Sequence, residues 1–143
     1  MTATVDDALG RLRRQDAGAP ADGDVLGIAE MAERTGVTAH TLRYYERIGL
    51  LGDVARDTSG YRAYSAADFA RVVFLTRLRL TGMPIRGLRR YVELAGAGDA
   101  TVDERLAMLV AHRESVRAQL AELQFALETI DFKIAVYGGG CAP

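Results

Sequence analysis

The sequence has little of what catalytic or disulfide-stabilised proteins need. Its 143 residues include one cysteine, two histidines and no tryptophan. A single cysteine cannot form a disulfide within the chain, and no cysteine, histidine or paired-carboxylate pattern has the spacing of a nucleophile or metal site. A glycine-rich phosphate-binding loop is also missing. These absences predict a protein that is not an enzyme and has no metal or other cofactor.

Long hydrophobic runs are equally scarce. No stretch is long and apolar enough to span a bilayer, and the first residues lack the basic, apolar and small-residue order of a signal peptide. We therefore expect a cytoplasmic protein without a membrane partner.

Lysine is nearly missing, because 17 of the 18 basic residues are arginine, and the net charge is only -1. The charge is unevenly distributed: residues 25–90 carry +5, residues 91–143 carry -4 and residues 1–24 carry -2. Exposed charges interact mainly within a Debye length of about 8 Å, so local charge governs attraction to phosphates. The basic centre of the chain can therefore bind nucleic acid.

A helix-turn-helix pattern lies within this basic centre. Residues 28–36 have the composition of a short helix that ends at a glycine. Thr38 then stands at a helix N-cap position, where its hydroxyl can accept from an amide one turn on. Leu42, Tyr45 and Ile48 recur at three-residue spacing, so they share one face and can anchor this second helix to a core.

The other face of the second helix carries polar side chains that can touch DNA. Thr38, His40, Arg43, Tyr44 and Arg47 can reach phosphates and base edges if the helix enters a groove. On chemistry alone, a solvated amphipathic helix without a ligand explains the same residues at least as well.

The segment that follows, residues 51–64, has no helical period and predicts a β-hairpin wing. Residues 57–60, Asp-Thr-Ser-Gly, are a turn signal between two short arms. Arg56 on one arm and Tyr61 and Arg62 on the other are predicted to project toward the DNA backbone, where arginine can bind a phosphate.

Two more helices are predicted after the wing, whose Tyr64 we expect to pack in the core. Ser65 and Asp68 pair at the start of a third helix, which stops at Gly82 and carries the apolar residues Phe69, Val72, Val73, Leu75, Leu78 and Leu80. Pro84 takes the first position of a fourth helix. The buried stripe of that helix is predicted to be Ile85, Leu88, Val92 and Ala95.

A long final helix carries a heptad pattern. Thr101 and Glu104 match a capping box at its start, and apolar residues then recur at spacings of three and four from Val102 to Tyr137, interrupted by Arg113. Such a helix is about 54 Å long and exposes an apolar seam unless a second chain covers it. The predicted dimerisation residues are Leu106, Leu109, Val116, Leu120, Leu123, Leu127, Ile130 and Ile134.

Three ordered motifs together resemble the MerR family of bacterial transcription regulators. They are Ile-x-x-x-Ala-x-x-x-Gly-Val at 28–37, Thr-Leu-Arg-Tyr-Tyr-Glu-x-x-Gly-Leu at 41–50 and Gly-Tyr-Arg-x-Tyr at 60–64. The motifs cover the chain from Leu26 to about Gly96, and the long helix beyond fits the family in layout. The short layout is most similar to the aldehyde- and stress-responsive branch.

This resemblance implies a mainly α fold, in which a winged helix-turn-helix domain is followed by a long antiparallel coiled-coil dimerisation helix. The corresponding segments are a disordered N-terminal tail at 1–24, the DNA-binding domain at 25–98, the dimerisation helix at 101–137 and a flexible tail at 138–143. It also implies a homodimer that binds an inverted-repeat promoter site, distorts the DNA and acts with RNA polymerase. A coiled-coil adaptor that binds protein and not DNA is the alternative.

The chain departs from the family's sensing patterns. Members that sense soft metals carry cysteines at the start of the long helix and in the loop after it. Here the first place holds Thr101, Val102 and Asp103, and Cys141 stands alone near the second. The position that corresponds to the sensing cysteine of the aldehyde-responsive branch holds Arg77. We therefore predict no metal site, and the sequence does not identify an effector.

Overall fold

The computed structural model describes residues 18–139, which form five α-helices. Predictions for residues 1–17 and for Cys141 lie outside this range. The helices are α1 (Ile28–Thr35), α2 (Ala39–Arg47), α3 (Ala66–Leu80), α4 (Ile85–Gly96) and α5 (Val102–Val136), with a short 3-10 turn at Asp99–Thr101 before α5.

The predicted mainly α class is confirmed. Between residues 18 and 139 there is no extended strand, and antiparallel pairing is limited to two isolated bridges, Leu26 with Tyr64 and Arg56 with Arg62. None of the described helices is both long and apolar enough to cross a membrane. The described residues form two compact units, one that ends at Val92 and one that begins at Glu93.

The turn between α1 and α2 forms as the sequence predicts. Gly36 ends α1 with a φ of 73°, a left-handed conformation that glycine adopts without steric cost, and its amide donates to Ala32 O at 3.0 Å. Thr38 caps α2, because its hydroxyl oxygen accepts from the Thr41 amide at 3.1 Å. Leu42 and Tyr45 are buried, which fixes the inner face of α2.

The predicted wing is a hairpin whose arms are too short to count as strands. Its tip is closed by Asp57, whose Oδ1 accepts from the amides of Ser59 and Tyr61, each at 2.9 Å. Gly60 has a φ of 83°, as the turn requires. At its base the hairpin is tied to the start of the domain, since Leu26 and Tyr64 exchange two backbone hydrogen bonds of 2.8 Å.

The core of the first unit lies between α1, α2, α3, α4 and the base of the hairpin. Ser65 and Asp68 form the predicted capping box at the start of α3, with hydrogen bonds of 3.1 and 2.9 Å. Tyr64 is fully buried, as predicted. The largest fully buried side chains are Met31, Leu42, Leu50, Tyr64, Phe69, Val72, Leu75 and Leu88.

Two apolar residues near helix ends differ in burial from the residues around them. Leu80, one of the apolar residues that the sequence places on α3, is the last residue of that helix and its side chain is exposed. Leu94 lies off the predicted stripe of α4, yet it is buried. Near a helix end, periodicity alone does not tell which face is covered.

The predicted capping box at the start of α5 is wrong. The Thr101 side chain does not cap this helix. Its hydroxyl instead donates to Leu94 O and lies 2.9 Å from Gly98 O, while Arg105 Nε donates to it at 3.1 Å. The hydroxyl therefore supplies a hydrogen-bond donor near the end of α4, where the last backbone carbonyls have no partner within the helix.

The long helix itself is present. It has 35 residues, which correspond to about 52 Å, and Tyr137 is its C-cap. None of its residues is buried in the isolated chain.

Candidate nucleic-acid interface

The outer face of α2 presents the polar side chains that the sequence singled out. Thr38, His40, Arg43 and Arg47 are exposed, whereas Tyr44 is partly buried. The inner face holds the helix against the core, so the outer residues occupy defined positions on a fixed element. This arrangement is that of a helix that can enter a DNA groove.

Tyr44 and Arg47 are placed together at the end of α2. The Arg47 guanidinium carbon lies 5.6 Å from the centre of the Tyr44 ring, within the range of a cation-π contact. Tyr44 also lies beside Tyr45, with ring centres 6.3 Å apart. The core residue Tyr45 therefore orients Tyr44, and Tyr44 orients Arg47.

The hairpin brings Arg56 and Arg62 opposite each other across its bridge, with Tyr61 exposed near the tip. Arg56 Nη1 donates to Gly60 O at 3.2 Å, which holds its side chain along the hairpin. Arg62, which is predicted to project toward the DNA backbone, is paired with α2 in the isolated chain. Its Nε donates to Glu46 Oε2 at 2.5 Å, and its side chain is 23% exposed.

Glu46 is the residue of this surface that sequence reasoning missed. It lies on α2, and its second oxygen, Oε1, is 3.9 Å from Arg56 Nη2. The hydrogen bond that Arg62 donates to Glu46 raises the pKa of Arg62 above its ordinary value. In the sequence, Glu46 is identified only as part of the Thr-Leu-Arg-Tyr-Tyr-Glu motif. Its partner Arg62 lies sixteen positions away, so no local periodic pattern indicates their contact.

Tyr64 lies beneath this surface as a buried polar group. Its hydroxyl is fully enclosed and has no hydrogen-bond partner within the described chain. Burial raises the pKa of Tyr64 above its ordinary value of 10.0, with a smaller opposing effect from the Arg62 charge. The ring therefore acts as a core hydrophobe whose hydroxyl adds no hydrogen bond.

In the second unit, α5 exposes the predicted seam along most of its length. Leu123 is 68% exposed and Leu127 is 48% exposed, and the remaining seam residues are at least partly exposed. The seam residues are Leu106, Leu109, Val116, Leu120, Leu123, Leu127, Ile130 and Ile134. Phe125 and Phe132 are also exposed, but their sequence positions place them on the opposite side of the helix.

Within residues 18–139, no group of three or more histidine, cysteine, aspartate or glutamate side chains is placed to hold a metal ion. Three of the acidic side chains in this range, Glu30, Glu46 and Glu114, form ion pairs with arginines.

A helix-turn-helix with an exposed polar second helix and an arginine-bearing hairpin beside it defines a DNA-binding class of protein. Comparison with known protein families agrees with this class. The family described as "MerR HTH family regulatory protein" matches residues 26–94 of the chain, and the family described as "MerR, DNA binding" matches residues 69–131. The chain belongs to the MerR family of transcription regulators. The resemblance stated from its motifs is confirmed.

Individual relatives extend this agreement over most of the chain. An uncharacterised HTH-type transcriptional regulator of Haemophilus influenzae is 37% identical over 109 residues, which cover 76% of this chain and 81% of the relative. The regulator AdhR of Bacillus subtilis is 40% identical over 89 residues, covering 62% and 64%. HiNmlR, a MerR family regulator lacking the sensor domain, was solved bound to promoter DNA; it is 35% identical with a TM-score of 0.76, covering 80% of this chain and 86% of its own.

Proposed function

We propose that this MerR-type regulator binds an inverted-repeat promoter site as a homodimer and controls transcription by distorting the DNA between the half-sites. The observation that carries the proposal is the contact between Glu46 and Arg62, because it fixes the hairpin beside the exposed face of α2. A groove-reading helix and a backbone-contacting hairpin are then parts of one surface. The promoter-bound structure of HiNmlR supports this use of the surface.

Within this surface, we assign base reading to α2 and phosphate contact to the hairpin. Thr38 caps the helix, and His40, Arg43 and Tyr44 lie within its first six residues. The N-terminal part of the second helix contacts base edges when a helix-turn-helix docks. The side chains assigned to the DNA backbone are Arg47, Arg56, Tyr61 and Arg62.

The exposed seam of α5 supports the homodimer. A second copy of the helix, packed antiparallel, would cover the seam and place two DNA-binding domains on one duplex. Two domains that bind separate half-sites can bend or untwist the DNA between them. Transcription is then controlled through the geometry of the promoter. RNA polymerase is then the partner that responds to the altered promoter. The protein acts in the cytoplasm, where a bacterial chromosome lies.

Titration of DNA at several salt concentrations tests the proposal. The probes are a labelled fragment from upstream of the protein's own gene and a scrambled fragment of equal composition. We expect tighter binding to the upstream fragment and a linear fall of log affinity with log salt, since phosphate contacts release counterions. Equal binding of both fragments, or binding of neither at any salt, contradicts the proposal.

The coiled-coil adaptor has no support from the comparisons, and the same titration separates it from a regulator. An adaptor that binds protein and not DNA would bind neither fragment. The proposed regulator makes no covalent change in its ligand and needs no cofactor to bind DNA.

A further inference from the structure

Glu46 places a carboxylate within the proposed DNA-binding surface, although its negative charge repels DNA phosphates. One of its oxygens receives a hydrogen bond from Arg62, and the other lies 3.9 Å from Arg56. The Glu46 side chain is 20% exposed, so the pair with Arg62 is partly shielded from water. Partial burial makes such a pair stronger than an open surface ion pair.

Glu46 is not needed to fold the hairpin. Asp57 closes the tip through its hydrogen bonds to Ser59 and Tyr61, and the backbone of Ala63 donates to Ala55 O at 2.8 Å. Leu26 anchors the base. A hairpin that is built from its own hydrogen bonds can keep its shape when a side-chain contact from α2 is removed.

We propose that Glu46 limits the affinity of this surface for DNA, because it holds Arg62 and Arg56 in competition with DNA phosphates. This inference rests on the proposed function of DNA binding. When the hairpin meets DNA, the arginines must exchange a carboxylate for a phosphate, and each exchange cancels part of the electrostatic gain. Contacts to phosphates are therefore weakened by a similar factor on every sequence, and stable binding needs additional base contacts to α2.

The test is the Glu46→Gln variant, which keeps the side-chain shape and removes the charge. Affinity is measured by fluorescence anisotropy on the upstream fragment and on the scrambled fragment, over a series of salt concentrations. We expect binding to both fragments to tighten by a similar factor of roughly two to five, the range for a partly exposed ion pair. The ratio of the two affinities should stay the same.

Glu114→Gln is the matched control. Glu114 is also an acid paired with arginine, at 2.9 Å from Arg117, but it lies on α5 outside the proposed surface. It removes the same unit of charge and should leave both affinities unchanged. In an Arg62→Ala background, Glu46→Gln should lose most of its effect, because the arginine that it releases is gone.

The outcomes separate this inference from the proposed function. Failure of the wild-type protein to bind the upstream fragment removes the proposed function and this inference together. If the wild type binds but Glu46→Gln weakens binding, changes neither affinity, or tightens only one of the two fragments, Glu46 does not compete with phosphates for the arginines. Should Glu46→Gln prove unfolded by circular dichroism, Glu46→Asp shortens the reach to Arg62 and should also tighten binding to both fragments; unchanged affinities would overturn the inference.

Discussion

Removing two leucines from the seam of α5 tests the link between the sequence pattern and the assembly. Leu123 and Leu127 are 68% and 48% exposed in the isolated chain, so a second helix has substantial apolar surface left to cover on both. Changing both to alanine should therefore weaken the homodimer while leaving the first unit folded, because that unit ends at Val92.

The expected size follows from the area that remains to be covered. A buried methylene contributes about 0.8 kcal/mol, and Leu→Ala removes about three such groups. Since roughly half to two thirds of each side chain is uncovered, each truncation costs about 1–2 kcal/mol of dimer stability. Four leucines change in a dimer, which gives roughly 5 kcal/mol, or a dissociation constant larger by about three to four orders of magnitude.

Sedimentation velocity and operator affinity, measured on the same samples at micromolar concentration, provide the assay. The matched control is the Phe125→Ala, Phe132→Ala double variant, which removes exposed apolar groups from the opposite side of the helix. We expect the control to remain dimeric. The reasoning is refuted if the leucine variant stays dimeric, if the control dissociates to the same extent, or if a monomeric leucine variant binds and bends the full site as the wild type does.

Three further predictions concern the first unit. Arg43→Ala should cost about 1–3 kcal/mol of binding free energy on the cognate site and relax the preference for particular bases. Arg62→Ala should weaken binding to all sequences alike and flatten the dependence of log affinity on log salt. Equal losses of affinity for Arg43→Ala on cognate and scrambled DNA would rule out base reading. Tyr64→Phe should leave stability unchanged or raise it by about 1 kcal/mol, because the buried hydroxyl has no partner in the described chain. Because the pKa of Tyr64 is raised in the folded state, the neutral phenol contributes stability that is present below pH 10 and is lost as pH rises through the folded-state pKa. Thermal melts above pH 10 should therefore show a fall in the melting temperature of the wild type that Tyr64→Phe lacks. Ser65→Ala should cost about 1 kcal/mol by thermal or urea unfolding, since it removes a capping box.

The local elements of this fold could be predicted because their signals lie within a few residues. Thr38 and Ser65 each cap a helix by accepting from the amide three residues further on. The Thr38 hydroxyl also donates to Thr41 Oγ1, which leaves its role as an acceptor intact. Thr101 has the same local pattern and behaves differently. Its hydroxyl lies close to carbonyls at the end of the preceding helix, and that proximity depends on how the chain turns there.

The candidate site shows the same limit. The exposed residues of α2 follow from helical period, since the buried Leu42 and Tyr45 fix where the others lie. The pairing of Arg62 with Glu46 joins a hairpin to a helix sixteen residues earlier, so only the folded arrangement reveals it. The arginine was identified correctly as part of the hairpin, but its orientation depended on a partner that no periodic pattern indicates.

In the proposed complex, two copies of the surface formed by α2 and the hairpin bind two half-sites of one promoter. Hydroxyl-radical footprinting of the fragment upstream of the protein's own gene would detect this arrangement. We expect two protected segments related by a dyad, with altered cleavage between them where the DNA is distorted. Arg43→Ala should lose both segments together. A single protected segment without symmetry, or no protection at concentrations where the protein is dimeric, would rule out this mode of binding.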